Sequence, residues 1–283
     1  MGGIIWLASY PKSGNTWTRT FIHNLFLNPE KPVDINSIAT FTLGDGDKAW
    51  YTKVAGKPVD QLSAREIAWL TPKVHKAFTE AHPDSVFVKT HSGLGTAFGI
   101  PLITMECTAG AIYIVRNPLD VVISLADHYG LSLDDGIRML NNPKGSAKGA
   151  EKGVEHGTIE QVFGSWSDHV SSWLLFNRQY LYLMRYEDML DKPEQTFGGL
   201  TRFLGLNPPK ERLEKAIEFS SFETVRKLED EQGFSERSHK AKTGRFFRVG
   251  KADQWKDVLS DKQVDKIVKC HHDMMKHFDY LPK

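Results

Sequence analysis

Apolar residues along this chain follow two rhythms. Short, mainly apolar runs at residues 4–8 (IIWLA), 85–89 (SVFVK), 111–115 (AIYIV) and 181–184 (LYLM) have strand length, the first three with β-branched and aromatic side chains. Longer stretches between them repeat near every 3.6 residues. Residues 16–27 space Trp17, Phe21, Leu25 and Phe26 as one helical face, which Asn28-Pro29 ends. Ser63 with Glu66 three positions on predicts a capped helix, with a kink or restart at Pro72. Asn117 and Pro118 suit the cap and first turn of a helix over DVVISLADHYG. Helical periodicity returns at 158–179, 193–204, 209–219 and 261–277. Each strand run leads into polar residues, and helices alternate with strands. This predicts an α/β fold whose central parallel sheet is flanked by helices, with a ligand crevice at the strands' C-terminal ends.

Three stretches break the pattern. Residues 29–62 read as a long variable connection, and 229–251 as a polar, basic stretch. Residues 131–157 carry five glycines and several lysines and are expected to form a mobile flap, since helical periodicity resumes after them. No internal repeat is present, and residues 1–283 are read as one domain. A formal net charge of +1 excludes bulk attraction to nucleic acid or an anionic membrane, so any anion site must be local. Cys107 and Cys270 lie far apart without metal-type spacing, and the N-terminal apolar run is short and lacks a basic lead. A soluble, cytoplasmic protein is expected.

Three places carry candidate chemistry. After the first strand run, Tyr10-Pro11-Lys12-Ser13-Gly14 turns straight into a helix, so backbone N–H groups and the helix dipole converge on one point that suits an anion. Lys12, Ser13 and Thr16 add a cation and two hydroxyls. The pattern is not GxxxxGK[ST], because the lysine precedes the only glycine, so it points away from ATP or GTP. Second, Arg116 follows a strand and Ser124 sits two turns into the next helix; a guanidinium and a hydroxyl can grip a phosphate, or serve an ion pair and a helix surface. Third, Lys89-Thr90-His91 ends another strand, and a histidine with an unperturbed pKa of about 6.5 suits proton transfer near neutral pH.

With these residues in view, the chain resembles the sulfotransferase family that uses 3′-phosphoadenosine 5′-phosphosulfate (PAPS). YPKSGNTW resembles the family's 5′-phosphosulfate loop, usually YPKSGTTW, with Asn15 in place of threonine. IVRNPLDVVISLADHYG resembles its 3′-phosphate segment, and KTH at 89–91 the segment holding its catalytic histidine. GSWSDHVSSW (164–173), MRYEDML (184–190), SSFETV (220–225) and FFRVGKADQW (246–255) resemble further blocks in the family's order. The resemblance implies a P-loop-kinase-like sulfotransferase fold. It implies that Lys12, Ser13, Gly14, Asn15, Thr16 and Trp17 hold the 5′ end, with Trp17 stacking on adenine. Arg116 and Ser124 would bind the 3′-phosphate, assisted by Arg248 and the backbone at Gly250. Tyr186 would reach the adenine edge and Phe222, after Ser221, its face. The family's RKG reads Arg248-Val249-Gly250 here, so one cation is missing. Its dimer motif KxxxTVxxxE is only faintly echoed by Lys256, Ser260, Asp261 and Asp265, which gives a homodimer weak support.

The implied reaction moves a sulfuryl group from PAPS to a small-molecule alcohol, phenol or amine and leaves 3′,5′-ADP (PAP). His91 is expected to take the acceptor's proton, Lys12 to offset charge on the bridging oxygen, and Lys89 to steady the sulfuryl group. No metal is expected, and His271, His272, Asp273 and His277 read as a solvated helix face rather than a metal cluster. Phe41, Trp50, Tyr51, Phe98 and Tyr129 are aromatic candidates for the acceptor pocket, or equally for core packing. The rival readings are a nucleotide or small-molecule kinase with a similar phosphate loop, and a non-catalytic nucleotide-binding protein of the same fold.

Overall fold

The first apolar run forms strand β1 (Ile4–Ser9), buried throughout except at Ile5, in a computed structural model that describes residues 2–147 and 157–283. In chain order there follow α1 (Asn15–Leu27), a one-turn α2 (Ile38–Phe41), β2 (Leu43–Gly44), α3 (Lys48–Ala55), α4 (Ala64–Ala81) and β3 (Val86–Thr90). The hairpin of β4 (Thr96–Ala97) and β5 (Ile100–Pro101) comes next, then β6 (Thr108–Val115), α5 (Pro118–His128) and α6 (Leu133–Leu140). A two-stranded pair, β7 (Ser146–Ala147) and β8 (Gln161–Val162), precedes α7 (Trp166–Leu174), β9 (Leu181–Arg185) and α8 (Tyr186–Asp191). The chain finishes with α9 (Pro193–Phe203), α10 (Lys210–Phe219), α11 (Phe222–Gln232), α12 (Trp255–Val258) and α13 (Asp261–His277).

The central sheet is parallel with strand order β2-β3-β1-β6-β9. Its register runs from Ile4 opposite Val86 to Ala8 opposite Thr90. Strands β1, β3 and β6 are largely buried and nearly continuous in apolar residues, as expected of a parallel sheet flanked by helices. The fold class expected from the sequence is therefore the one found.

The chain divides into two compact units. The first comprises Met1–Tyr10, Thr42–Tyr113 and Asn142–Leu181. Within it Trp6 donates from Nε1 to Thr108 Oγ1 at 2.9 Å and meets the edge of the His75 ring. Helix α4 opens on the expected Ser63–Glu66 capping box but runs unbroken through Pro72. Its buried face, Ala68, Thr71, Val74, His75 and Phe78, supplies packing that outweighs the local cost of a proline.

The second unit comprises Pro11–Phe41, Ile114–Asn141 and Tyr182–Lys283. Its helix α1 is buried on almost every side; Phe21 stacks on Phe197 at 4.1 Å, and Arg212 caps the helix's last turn through the Leu25 carbonyl. A separate apolar cluster joins Ile35, Ile38, Val225, Phe234 and Phe247. The Glu229 carboxylate beside it accepts the N–H groups of Phe246 and Phe247, at 2.6 and 2.9 Å.

Several local expectations change. The stretch 29–62 is not a plain connection: it holds β2 and α3, the latter capped by Asp47 and stopped by left-handed Gly56. Within 131–157, residues 133–140 form α6, started by Ser132 and turning Ile137 and Leu140 inward, while 148–156, also part of the expected flap, lie outside the described residues. The helix read over 158–179 is confined to α7, because Ser165 and Asp168 form its capping box and 161–162 pair as strand. Helix α11 extends to Gln232, into the stretch read as polar and basic.

Candidate active site

Beyond β1 the chain must reverse within five residues, and it does so with two left-handed residues, Lys12 at φ 67° and Gly14 at φ 107°. That reversal aims the start of α1 back toward the turn, so the unbonded N–H groups of its first turn gather around Ser13 to Thr16. A Cβ on residue 14 would sit 2.8 Å from Cδ2 of Tyr186, so only glycine fits there. Ser13 is fully buried, and its hydroxyl finds no hydrogen-bond partner among the described residues; the same holds for the indole N–H of Trp17. Buried polar atoms in native proteins are nearly always paired, so these two are groups that a polar ligand can satisfy. Lys12 Nζ lies 3.8 Å over the Phe246 ring. Asn15 is buried, and Thr16 lies between Arg19 (3.3 Å) and the Glu236 carboxylate (3.4 Å).

Arg116 is the hub of this unit's site. Nearly buried, it donates to the Lys12 carbonyl at 3.1 Å and to the Lys251 carbonyl at 3.4 Å, and its guanidinium stacks 4.1 Å from the Tyr186 ring centre. The Tyr186 phenol is pushed up by burial, with Arg116 pulling the other way. The Trp17 ring meets Tyr186 edge-on at 5.6 Å. Gly250, at φ 66°, presses its backbone on Phe222 so closely that an added Cβ would lie inside the ring's contact distance. Arg248, whose pKa burial lowers, donates to Gln254, and Ser124 is half-buried on α5. The Ser221 hydroxyl serves as the N-cap of α11, bonded to Thr224. The loop, Arg116, Tyr186 and the segment at Gly250 thus converge through direct contacts; Ser221 has a capping role in its own helix, and Ser124 lies two turns into α5.

In the first unit the Lys89–His91 segment ends β3. The His91 ring donates from Nδ1 to the Ser9 carbonyl at 2.8 Å, with the Ser9 hydroxyl at 3.4 Å. A proton held at Nδ1 makes Nε2 the basic nitrogen of the neutral ring. The His91 carbonyl accepts from Nε2 of His169, whose Nδ1 accepts from the Tyr113 hydroxyl at 2.8 Å. Full burial lowers the His169 pKa to about 3, so that ring stays neutral. Trp173 donates to the Ser92 carbonyl at 3.1 Å. The turn around His91 is therefore held from its backbone as well as its ring.

Sequence reasoning missed His169, Asp45 and Asp120. His169 sits inside the SDHVSSW block, but nothing local marks it as a support. Asp120, one turn past Arg116, accepts the N–H groups of Asp253 and Trp255 at 2.8 and 3.1 Å and so anchors the segment after Gly250. Three of the aromatics read as pocket or core candidates make packing contacts. Phe41 stacks on His23, Trp50 lies edge-on to Phe78, and buried Tyr51 bonds Thr71. Among the described residues no group of three or more His, Cys, Asp or Glu is placed to hold a metal ion, and no helix is long and apolar enough to cross a membrane.

The sequence pattern of the Sulfotransferase domain matches residues 4–279. Sulfotransferase 1B1 of the dog, Canis lupus familiaris, is 27% identical over 268 residues, 92% of this chain and 79% of the relative. Sulfotransferase 1 family member D1 of Mus musculus is 28% identical over 274 residues, 93% of this chain and 80% of that one. Among solved structures, mouse sulfotransferase SULT7A1 complexed with PAP superposes with a TM-score of 0.63 at 19% identity, covering 97% of this chain and 85% of its own. Retinol dehydratase in complex with androsterone and PAP gives 0.66 at 19%, covering 96% and 80%.

Proposed function

The chain belongs to the sulfotransferase domain family, and from that premise we propose a division of labour for a PAPS-dependent sulfotransferase working as one domain. PAPS supplies an activated sulfuryl group on a phosphate leaving group. Lys12, Ser13, Gly14, Asn15 and Thr16 hold its 5′ end with backbone N–H groups, two hydroxyls and a cation. Arg116, Ser124 and Arg248 hold the 3′-phosphate, with Trp17, Tyr186 and Phe222 around the base. The single observation that carries this reading is the buried, unpartnered Ser13 hydroxyl in a turn built by Lys12 and Gly14 at the head of α1.

His91 Nε2 receives the proton from the acceptor's oxygen or nitrogen, its basicity set by the Nδ1–Ser9 bond. Lys12 opposes charge arising on the bridging oxygen and Lys89 steadies the group in flight. The acceptor is a small-molecule alcohol, phenol or amine. Near-neutral net charge supports this over a polyanionic glycan, which favours a markedly basic cleft. So does a neighbour of like fold that binds androsterone. Two cysteines without a disulfide are in keeping with a cytoplasmic setting, and nothing in this scheme requires a homodimer.

Melting curves with saturating PAP, ATP or GTP test the scheme. PAP at a hundred times its Kd should stabilise the protein by about 2.7 kcal/mol, while ATP and GTP leave it unchanged. Equal stabilisation by ATP would favour the kinase. Arg116→Ala should weaken PAP about 10- to 100-fold in calorimetry, since it removes charge-assisted contacts; unaltered affinity would remove Arg116 from the site.

A further inference from the structure

A buried carboxylate lies against the His91 turn. Asp45, 6% exposed just after β2, accepts from the Thr90 hydroxyl at 2.5 Å and the Ser92 hydroxyl at 3.4 Å through one oxygen, and from the Gln161 amide through the other. Its own N–H donates to the Lys89 carbonyl at 3.0 Å, and Thr90 Oγ1 also accepts the Ser92 N–H. Thus Asp45 grips the residues on both sides of His91 while its charge acts on the Lys89 ammonium. A buried acid with only neutral partners and one cation pays a desolvation cost that an asparagine or a leucine would avoid. We infer that Asp45 is a positioning residue of the reaction, its negative charge holding Lys89 and the Thr90–Ser92 turn so that His91 and Lys89 meet the reacting groups correctly.

The inference rests on the roles proposed for His91 and Lys89. Charged and titratable groups facing Asp45 are Lys89 from β3 and Tyr51 from α3, whose phenol burial pushes far up; Thr90, Ser92 and Gln161 are neutral. His169 meets the same turn at the His91 carbonyl and stays neutral. Burial raises the Asp45 carboxyl to about 6, so its charge is present above that pH and lost below it. Loss of the Asp45 charge then steepens the acid side of the turnover profile, on top of the single protonation that silences any proton acceptor.

The test is kcat against pH from 5 to 8 at saturating PAPS and acceptor, for the native enzyme, Asp45→Asn and His91→Ala. Asparagine keeps an acceptor toward Thr90 and Ser92, and Gln161 can flip its amide to accept from the new NH₂, so the substitution removes chiefly the charge. Asp45→Asn should lose about 10- to 100-fold in kcat at pH 7.5 with PAP affinity unchanged. Native turnover should fall more steeply than tenfold per pH unit below pH 6, and the variant's no more than tenfold. A native profile that falls by only one proton overturns the inference even if the variant fails to fold, and so does a variant with native kcat and slope. If His91→Ala keeps native turnover, the assignment of the base has failed instead; if it loses turnover while Asp45→Asn behaves as native, only the role of Asp45 has failed.

Discussion

Replacing His91 with alanine is expected to lower turnover by about 10²- to 10⁴-fold, the usual worth of a positioned proton acceptor. PAP affinity should stay within a factor of two, because the groups proposed to hold the nucleotide are Lys12 to Trp17, Arg116 and the segment at Gly250. The His91 ring bonds to Ser9, the last residue of β1, and truncation leaves that carbonyl at a strand end where water can replace the lost donor. Single-turnover kinetics with PAPS and a phenolic acceptor, alongside PAP titration, separate the two quantities. Native turnover in the variant would end the case for His91 as base. Lost turnover with equally lost PAP binding would mean a disrupted site rather than a missing base.

The second large effect is on stability. His75 and His169 are both buried so deeply that their pKa values fall to about 3, against 6.5 in an unfolded chain. Below pH 6.5 the unfolded state takes up protons that the folded state refuses, so stability drops as pH falls toward 3. At pH 5 each histidine costs about 2 kcal/mol relative to pH 8. Asp45 works in the opposite sense, since its raised pKa lets the folded state bind a proton first between pH 6 and 4. Its contribution at pH 5 is only about 1 kcal/mol, so the histidines win. His23, also lowered by burial, adds to the loss, whereas Asp120 and Glu187, raised by burial, oppose it. Urea denaturation should therefore show a net loss of stability on going from pH 8 to pH 5, to which the two histidines and Asp45 together contribute about 3 kcal/mol. His75→Gln should reduce that difference; a midpoint that does not move between the two pH values would contradict the argument.

What the sequence disclosed follows from how local each feature is. The turn after β1, the Ser63 capping box, the Asn117-Pro118 helix start and the 261–277 helix are all written within a few residues. Each was found where the pattern placed it. Asp45 was invisible because its meaning comes from Thr90, Ser92 and Gln161, which lie 45 to 116 residues away. The same is true of Asp120 with Asp253 and Trp255. Helix α3 was missed despite an aspartate at its start and a glycine at its end, because Gly44 and Gly46 just before it suggested an irregular stretch. The aromatics Phe41, Trp50 and Tyr51 show the limit of composition: hydrophobicity marks a residue for burial without saying whether core or ligand will cover it.

Gly250 and Phe222 form an interlock with consequences for how this enzyme can diverge. A methyl group at 250 collides with the ring, and the left-handed backbone there resists any branched replacement. Descendants can abandon the glycine only after position 222 has first shrunk, and that step strips the contact proposed for the purine. Stepwise drift thus meets a valley at this pair.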